Sequence, residues 1–173
     1  MPDLCDLILD DHEALRRFFA QLDQHRDDGP ETLSALWGPL AALLDVHAAA
    51  EEEVFYPRLL AKGDDARDET SDAIGDHNKI RDAVAAAGRA TVDSAEWWEA
   101  VGRAREQNSD HMAEEERGAL ADFRTNTSSE ARDRLGGQFS AFKEHHAGGH
   151  ELRVTDKNPQ AYIAKNSPGA GEP

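Results

Sequence analysis

The sequence predicts an all-α protein: an up-and-down four-helix bundle followed by a short fifth helix and a loose C-terminal tail. Three observations predict it. Apolar residues recur at three- and four-residue spacing along most of the chain, strand-like alternation is missing, and the chain repeats itself once at a fixed offset. At 173 residues it suits one compact domain with a bundle core.

Each element follows from its own signals. Leu4, Leu7, Ile8, Leu15, Phe18, Phe19 and Leu22 mark one face of a first helix from about residue 3 to 27, which Asp28-Gly29-Pro30 stops. A second helix carries Leu33, Leu36, Leu40, Leu43, Leu44, Val54 and Leu59. Gly38-Pro39 and Pro57 are expected to bend or interrupt it, because proline lacks a backbone donor. After Lys62-Gly63-Asp64-Asp65 a third helix runs to about Ala90, with Ala73, Ile74, Ile80 and Val84 inward. A fourth begins near Ser94, carries Trp97, Val101 and Ala104, and ends around Thr125. Phe18, Phe19, Trp97 and Trp98 are read as core. Residues 1–126 thus form the bundle. Thr127-Ser128-Ser129-Glu130 reads as a capping box that opens an additional helix over 127–147. Residues 148–173, with their Gly, Pro, Asn and Lys content, read as a flexible tail.

Composition narrows the function. The 35 acidic and 19 basic residues leave a formal charge of −16, which argues against nucleic acid as a partner. Cys5 is the sole cysteine, so an intrachain disulfide and a thiolate metal site are both excluded. The opening Met1-Pro2-Asp3-Leu4-Cys5-Asp6 has no basic region and no long apolar run. Neither a signal peptide nor a membrane span is read, and a cytoplasmic location is the default expectation.

The repeat carries the chemistry. Asp11-His12-Glu13-Ala14-Leu15-Arg16 resembles Asp76-His77-Asn78-Lys79-Ile80-Arg81, at an offset of 65 residues. His47-Ala48-Ala49-Ala50-Glu51-Glu52 resembles His111-Met112-Ala113-Glu114-Glu115-Glu116, at an offset of 64. Each half reads as a helix with a lone histidine followed by a helix with His-x-x-x-Glu. Residues i and i+4 share a helix face, so His47 with Glu51, and His111 with Glu115, each present an imidazole and a carboxylate to one spot. All six of these residues fall within apolar stripes.

An unpaired buried carboxylate costs on the order of several kcal/mol, against a total domain stability of about 5–15 kcal/mol. Bound cations remove that cost by neutralising the carboxylates and using the imidazole lone pairs. The candidate metal ligands are therefore His12, His47, Glu51, His77, His111 and Glu115. Two repeats imply two ions, with Glu51 and Glu115 placed to bridge them. Nitrogen and oxygen donors without sulfur suit iron or manganese and admit zinc.

Other residues have plainer readings. Tyr56 lies about 140° from Glu51 on a regular helix, so packing is favoured over metal binding unless Pro57 distorts the helix. Glu52, Glu53, Glu114 and Glu116 mostly face solvent in this reading, with Glu52 or Glu114 available to hydrogen-bond a ligand. His145, His146 and His150, with Glu144 and Glu151, read as a solvated helix end; a weaker second metal site or an iron-entry point is the alternative. His25 is read as surface.

The ordered pattern His12, His47-x-x-x-Glu51, His77, His111-x-x-x-Glu115, with Glu51-Glu52-Glu53-Val54-Phe55-Tyr56-Pro57, resembles the hemerythrin-like, or HHE cation-binding, domain family over roughly residues 3 to 125. Ferritin-like bundles carry Glu-x-x-His instead. The resemblance implies a non-haem centre of two iron ions, oxo- or hydroxo-bridged, that meets O₂, hydrogen peroxide or nitric oxide. Arg81 stands where the family's oxygen carriers place a further histidine, and Glu115 replaces the aspartate of their His-x-x-x-x-Asp. Both departures favour redox turnover or sensing over reversible O₂ carriage. The candidate functions are thus a peroxide- or O₂-reactive di-iron protein, a binding or sensing module, and, disfavoured by the buried ligands, a metal-free interaction bundle.

Overall fold

Caps and breaks divide the chain into its helices in the computed structural model, which describes residues 2–168. Helix α1 (Leu4–Gln24) starts where the Asp3 carboxylate accepts from the Cys5 N–H. Helix α2 (Pro30–Ala50) carries Pro30 in its first turn, where a missing N–H leaves no bond unmade. A π-helical turn, Glu51–Phe55, joins it to α3 (Tyr56–Lys62). Then come α4 (Ala66–Arg89) and α5 (Ala95–Arg117), the latter capped by Ser94 accepting from the Trp97 N–H. Helices α6 (Ala119–Asn126) and α7 (Ser129–His145) follow, and α8 (Pro159–Asn166) opens on an Asn158 cap. The described residues hold no strand, so the chain is all-α.

Four boundaries differ from the sequence reading. Pro39 stays inside α2 without interrupting it, and the irregularity lies instead in the π turn just before Pro57. The expected fourth helix is two, α5 and α6, separated at Gly118. A Cβ at that position would stand 2.7 Å from Glu69 Oε1 and 3.3 Å from the Glu114 carbonyl, so any larger residue would displace the Glu69 carboxylate. The cap of α7 is Ser128, one residue later than expected.

The fourth difference concerns the tail. Residues 159–166 form α8, which packs against α4 and buries Tyr162 and Ile163. Two apolar side chains and a good cap offset the polar composition that made this stretch read as loose. Residues 169–173 of the expected tail lie outside the described residues.

Contact is most extensive between α4 and α5, and α1 lies against both α2 and α7. The core falls into two apolar clusters. One gathers Leu4, Ile8, Phe55, Tyr56, Phe123, Phe139 and Tyr162; the other gathers Leu15, Leu33, Trp37, Leu40, Ile80 and Trp97. Along α1, His12 sits between Ile8 of the first cluster and Leu15 of the second. Along α4, His77 sits between Ile74 and Ile80 in the same way. His47 and Glu115 mark the same boundary on α2 and α5. A polar layer thus separates two dry compartments.

The stretch Pro30–Lys62 is long and apolar enough to cross a membrane by length and composition. Its Leu33, Leu40 and Leu44 are buried in the core, and its His47, Glu51 and Glu52 face the polar layer. Core packing accounts for its hydropathy.

Candidate metal centre

The six predicted residues come from α1, α2, the π turn, α4 and α5, and each is at most 4 % exposed. Their ligand atoms form two groups, each within 4.8 Å internally: His12, His47, Glu51 and Glu115 in one, Glu51, His77 and His111 in the other. Glu51 is common to both groups, whereas Glu115 belongs only to the first.

All four imidazoles turn Nε2 to the interior. His12 Nε2 is 3.2 Å from Glu115 Oε2, His47 Nε2 is 3.0 Å from Glu51 Oε1, and His77 Nε2 is 3.2 Å from Glu51 Oε2. His77 and His111 bring their Nε2 atoms to 3.1 Å, and His111 Nε2 lies 3.8 Å from Glu51 Oε2. Despite these separations, His12 Nε2, His47 Nε2, both Glu51 oxygens and Glu115 Oε2 are buried without a hydrogen-bond partner. They reach the interior from four different elements, α1, α2, the π turn and α5. Such a convergence of orphaned acceptors fits a cation.

Carboxylates stand behind three of the imidazoles. Glu116 Oε1 lies 2.8 Å from His12 Nδ1, Asp11 Oδ2 lies 3.1 Å from His47 Nδ1, and Glu52 Oε1 lies 2.9 Å from His77 Nδ1. Each carboxylate is held in turn by a cation: Arg16 on Glu116, Lys143 of α7 on Asp11, and Arg81 with Lys157 on Glu52. A carboxylate on Nδ1 fixes the tautomer and raises the basicity of Nε2.

The charges follow from this arrangement. Burial alone would raise the Glu51 carboxyl, but His47, His111 and His77 hold it well below the usual carboxylate range. Burial would lower His47, but Glu51 and Asp11 push it up to about 10. His77 is raised against burial by Glu51 and Glu52. A cation held by these groups would have to displace the protons that the raised imidazoles favour.

Tyr56 is the main addition to the site. It is fully buried, and its hydroxyl donates to Glu115 Oε1 at 2.5 Å. It packs in the core as expected, and the hydroxyl reaches the site because Glu51–Phe55 is π-helical, which widens the turn and brings Tyr56 back toward the Glu51 face. Burial, Glu115 and Glu51 keep its phenol well above the ordinary value, so it stays a donor.

Among the flanking acids, Glu52 and Glu116 back ligands instead of facing solvent, while Glu53 and Glu114 are exposed. Asp11 and Lys143 were not singled out by sequence; the Asp-His pairing of Asp11-His12 in the repeat was the available signal. Arg81 is buried against Glu52. His145 and Glu151 are exposed with 3.9 Å between them, and His146 Nδ1 meets the His150 carbonyl. His25 is exposed and paired with Asp28.

Fold and site define a helical bundle with an interior His/Glu cluster suited to a metal ion. The profile of the Hemerythrin HHE cation binding domain matches residues 3–123, and the chain belongs to that family. A DNA nickase of Nostoc sp. (strain PCC 7120) is 29% identical over 139 residues, covering 80% of this chain and 38% of that protein. The chain therefore spans well under half the length of this curated relative. No solved structure matches it.

Proposed function

We propose that the chain is a non-haem di-iron protein that reacts with O₂ or hydrogen peroxide, as a peroxide-decomposing or related redox activity in oxidative stress. His12, His47, Glu51 and Glu115 would hold one ion and Glu51, His77 and His111 the other, with Glu51 bridging. One observation carries this reading: five buried nitrogen and oxygen atoms without a hydrogen-bond partner, from His12, His47, Glu51 and Glu115, meet in one interior layer. Iron, when bound there, would supply the redox chemistry for a small oxidant.

The chain's own groups do the rest. The Nδ1 carboxylates orient the imidazoles. The two apolar clusters exclude water from either end of the polar layer. Tyr56 keeps a proton on Oη, hydrogen-bonded to Glu115, at the edge of the centre. The second group offers two imidazoles and one carboxylate, which leaves it more open than the first.

A binding or sensing module for iron, O₂ or nitric oxide is the second reading. It is favoured by the contacts of Glu52, which touches His77 on one side and Lys157 and Tyr162 of the C-terminal segment on the other. The relative's nickase activity is not carried over, since a charge of −16 opposes phosphate binding.

Elemental analysis of the purified protein is expected to give two irons per chain, with near-ultraviolet absorption of a coupled ferric pair. The iron-loaded protein is expected to evolve O₂ from peroxide over many turnovers. Tyr56→Phe should keep its iron and turn over more slowly, whereas Glu51→Ala and Glu115→Ala should bind fewer than two. Full iron content in both alanine variants would refute the ligand assignment, and binding without turnover would favour sensing.

A further inference from the structure

Carboxylate–cation pairs stand between solvent and three of the four imidazoles: Glu116 with Arg16, Asp11 with Lys143, and Glu52 with Arg81 and Lys157. Behind the fourth, His111, lies a cavity of about 90 Å³. Its inner wall is His111, Glu115 and Tyr56, and its outer wall is Glu69, Asp72, Asp76 and Glu114. Asp72, Asp76 and Glu114 also line a wider groove on the α4–α5 surface, so groove and cavity adjoin at these three carboxylates.

An acidic surface is ordinary in a chain with 35 acidic residues. Two further observations single this one out. Glu115, whose side chain is 1 % exposed, lines the cavity with Oε2 unpartnered. Glu69 also lines it, and its Oε2 is buried without a partner. Glu69 lacks a counterion as well: burial, Asp122, Asp65 and Glu115 push its carboxyl up to about 7. The glycine at 118 leaves the space that this carboxylate occupies.

We propose that this cavity is the loading port through which a hydrated divalent cation reaches the metal centre, with Glu69 as the first interior carboxylate to replace its water. The inference rests on the metal-centre reading. Hard cations exchange water for carboxylate oxygen, and a funnel of one charge sign raises the local concentration of the opposite charge. The groove carboxylates collect the ion, Glu69 takes it at the neck, and Glu115 and His111 receive it inside. Lys79, the groove's cation, is paired with Asp76.

The test is stopped-flow uptake of Co²⁺ by the metal-free full chain, followed by its visible absorption. Asp72→Asn with Glu114→Gln changes two exposed side chains and should slow uptake about tenfold, while final occupancy is unchanged. Glu69→Gln should also slow it. Glu96→Gln with Glu99→Gln removes the same charge from the far end of α5, about 16 Å from Asp110 along the helix, and should load at the wild-type rate. Wild-type uptake should slow as salt rises from about 10 to about 150 mM. Equal rates for the groove variant and wild type, or equal slowing by the control pair, would overturn the port while leaving the metal centre intact. A wild-type chain that takes up no Co²⁺ would overturn both.

Discussion

Glu52 shows how one side chain is committed by its surroundings. It is 5 % exposed and receives His77, Arg81 and Lys157 together. Burial opposes its charge, yet these partners bring its carboxyl from 4.5 down to about 2. Because the folded value lies below the unfolded one, the contribution to stability is fully present above about pH 4.5 and is lost as pH falls through about 2. Glu52→Gln should flatten that part of the acid limb in urea unfolding and cost about 3 kcal/mol at neutral pH, since Arg81 loses its buried partner. An acid limb as steep as the wild type's would contradict this role. The convergence of the six central residues was legible in the sequence because each sits in an apolar stripe, where a charge needs a reason. Of their carboxylate backers Glu52 was legible as a candidate partner, and Asp11 and Glu116 were not. Glu116 meets His12 across 104 residues and Asp11 meets His47 across 36, so neither pairing shows in local pattern beyond the recurrence of Asp before His in the repeat.

At the scale of elements, the π turn decides which side chains reach the centre. Between Glu51 and Tyr56 the chain holds one residue more than a regular helix would use to return to the same face. Inserting an alanine after Glu53, which is exposed, should break this register and turn either Glu51 or Tyr56 away. Far-ultraviolet circular dichroism should stay helical while bound metal falls below the wild-type level. Unchanged metal content would mean that the register is not what positions them. Periodicity located the long helices because apolar burial enforces it, but a single wide turn leaves no compositional mark beyond a nearby proline. The break at Gly118 was hidden for a related reason: the side chain that sits against it, Glu69, is on a different helix.

For the molecule as a whole, the polar layer makes stability depend on what fills it. A ligand at about a thousand times its dissociation constant adds about 4 kcal/mol, and about 2–4 °C of melting temperature accompanies each kcal/mol in a chain of this size. Chelation is therefore expected to lower Tm by about 8–16 °C, read by calorimetry on protein whose metal loss is verified by elemental analysis. A stripped protein that melts with the loaded one would mean that the layer satisfies itself. The C-terminal segment belongs to the same whole: Tyr162 and Lys157 fasten on Glu52, long-range contacts invisible to a composition-based reading. The split core also sorts the chromophores. All three tryptophans, at 37, 97 and 98, lie in or against one apolar compartment, and both tyrosines, at 56 and 162, lie in the other. Indole emission and phenol absorbance are thus built-in reporters of opposite ends of the bundle, and their separate melting curves would reveal which end loosens first without any attached label.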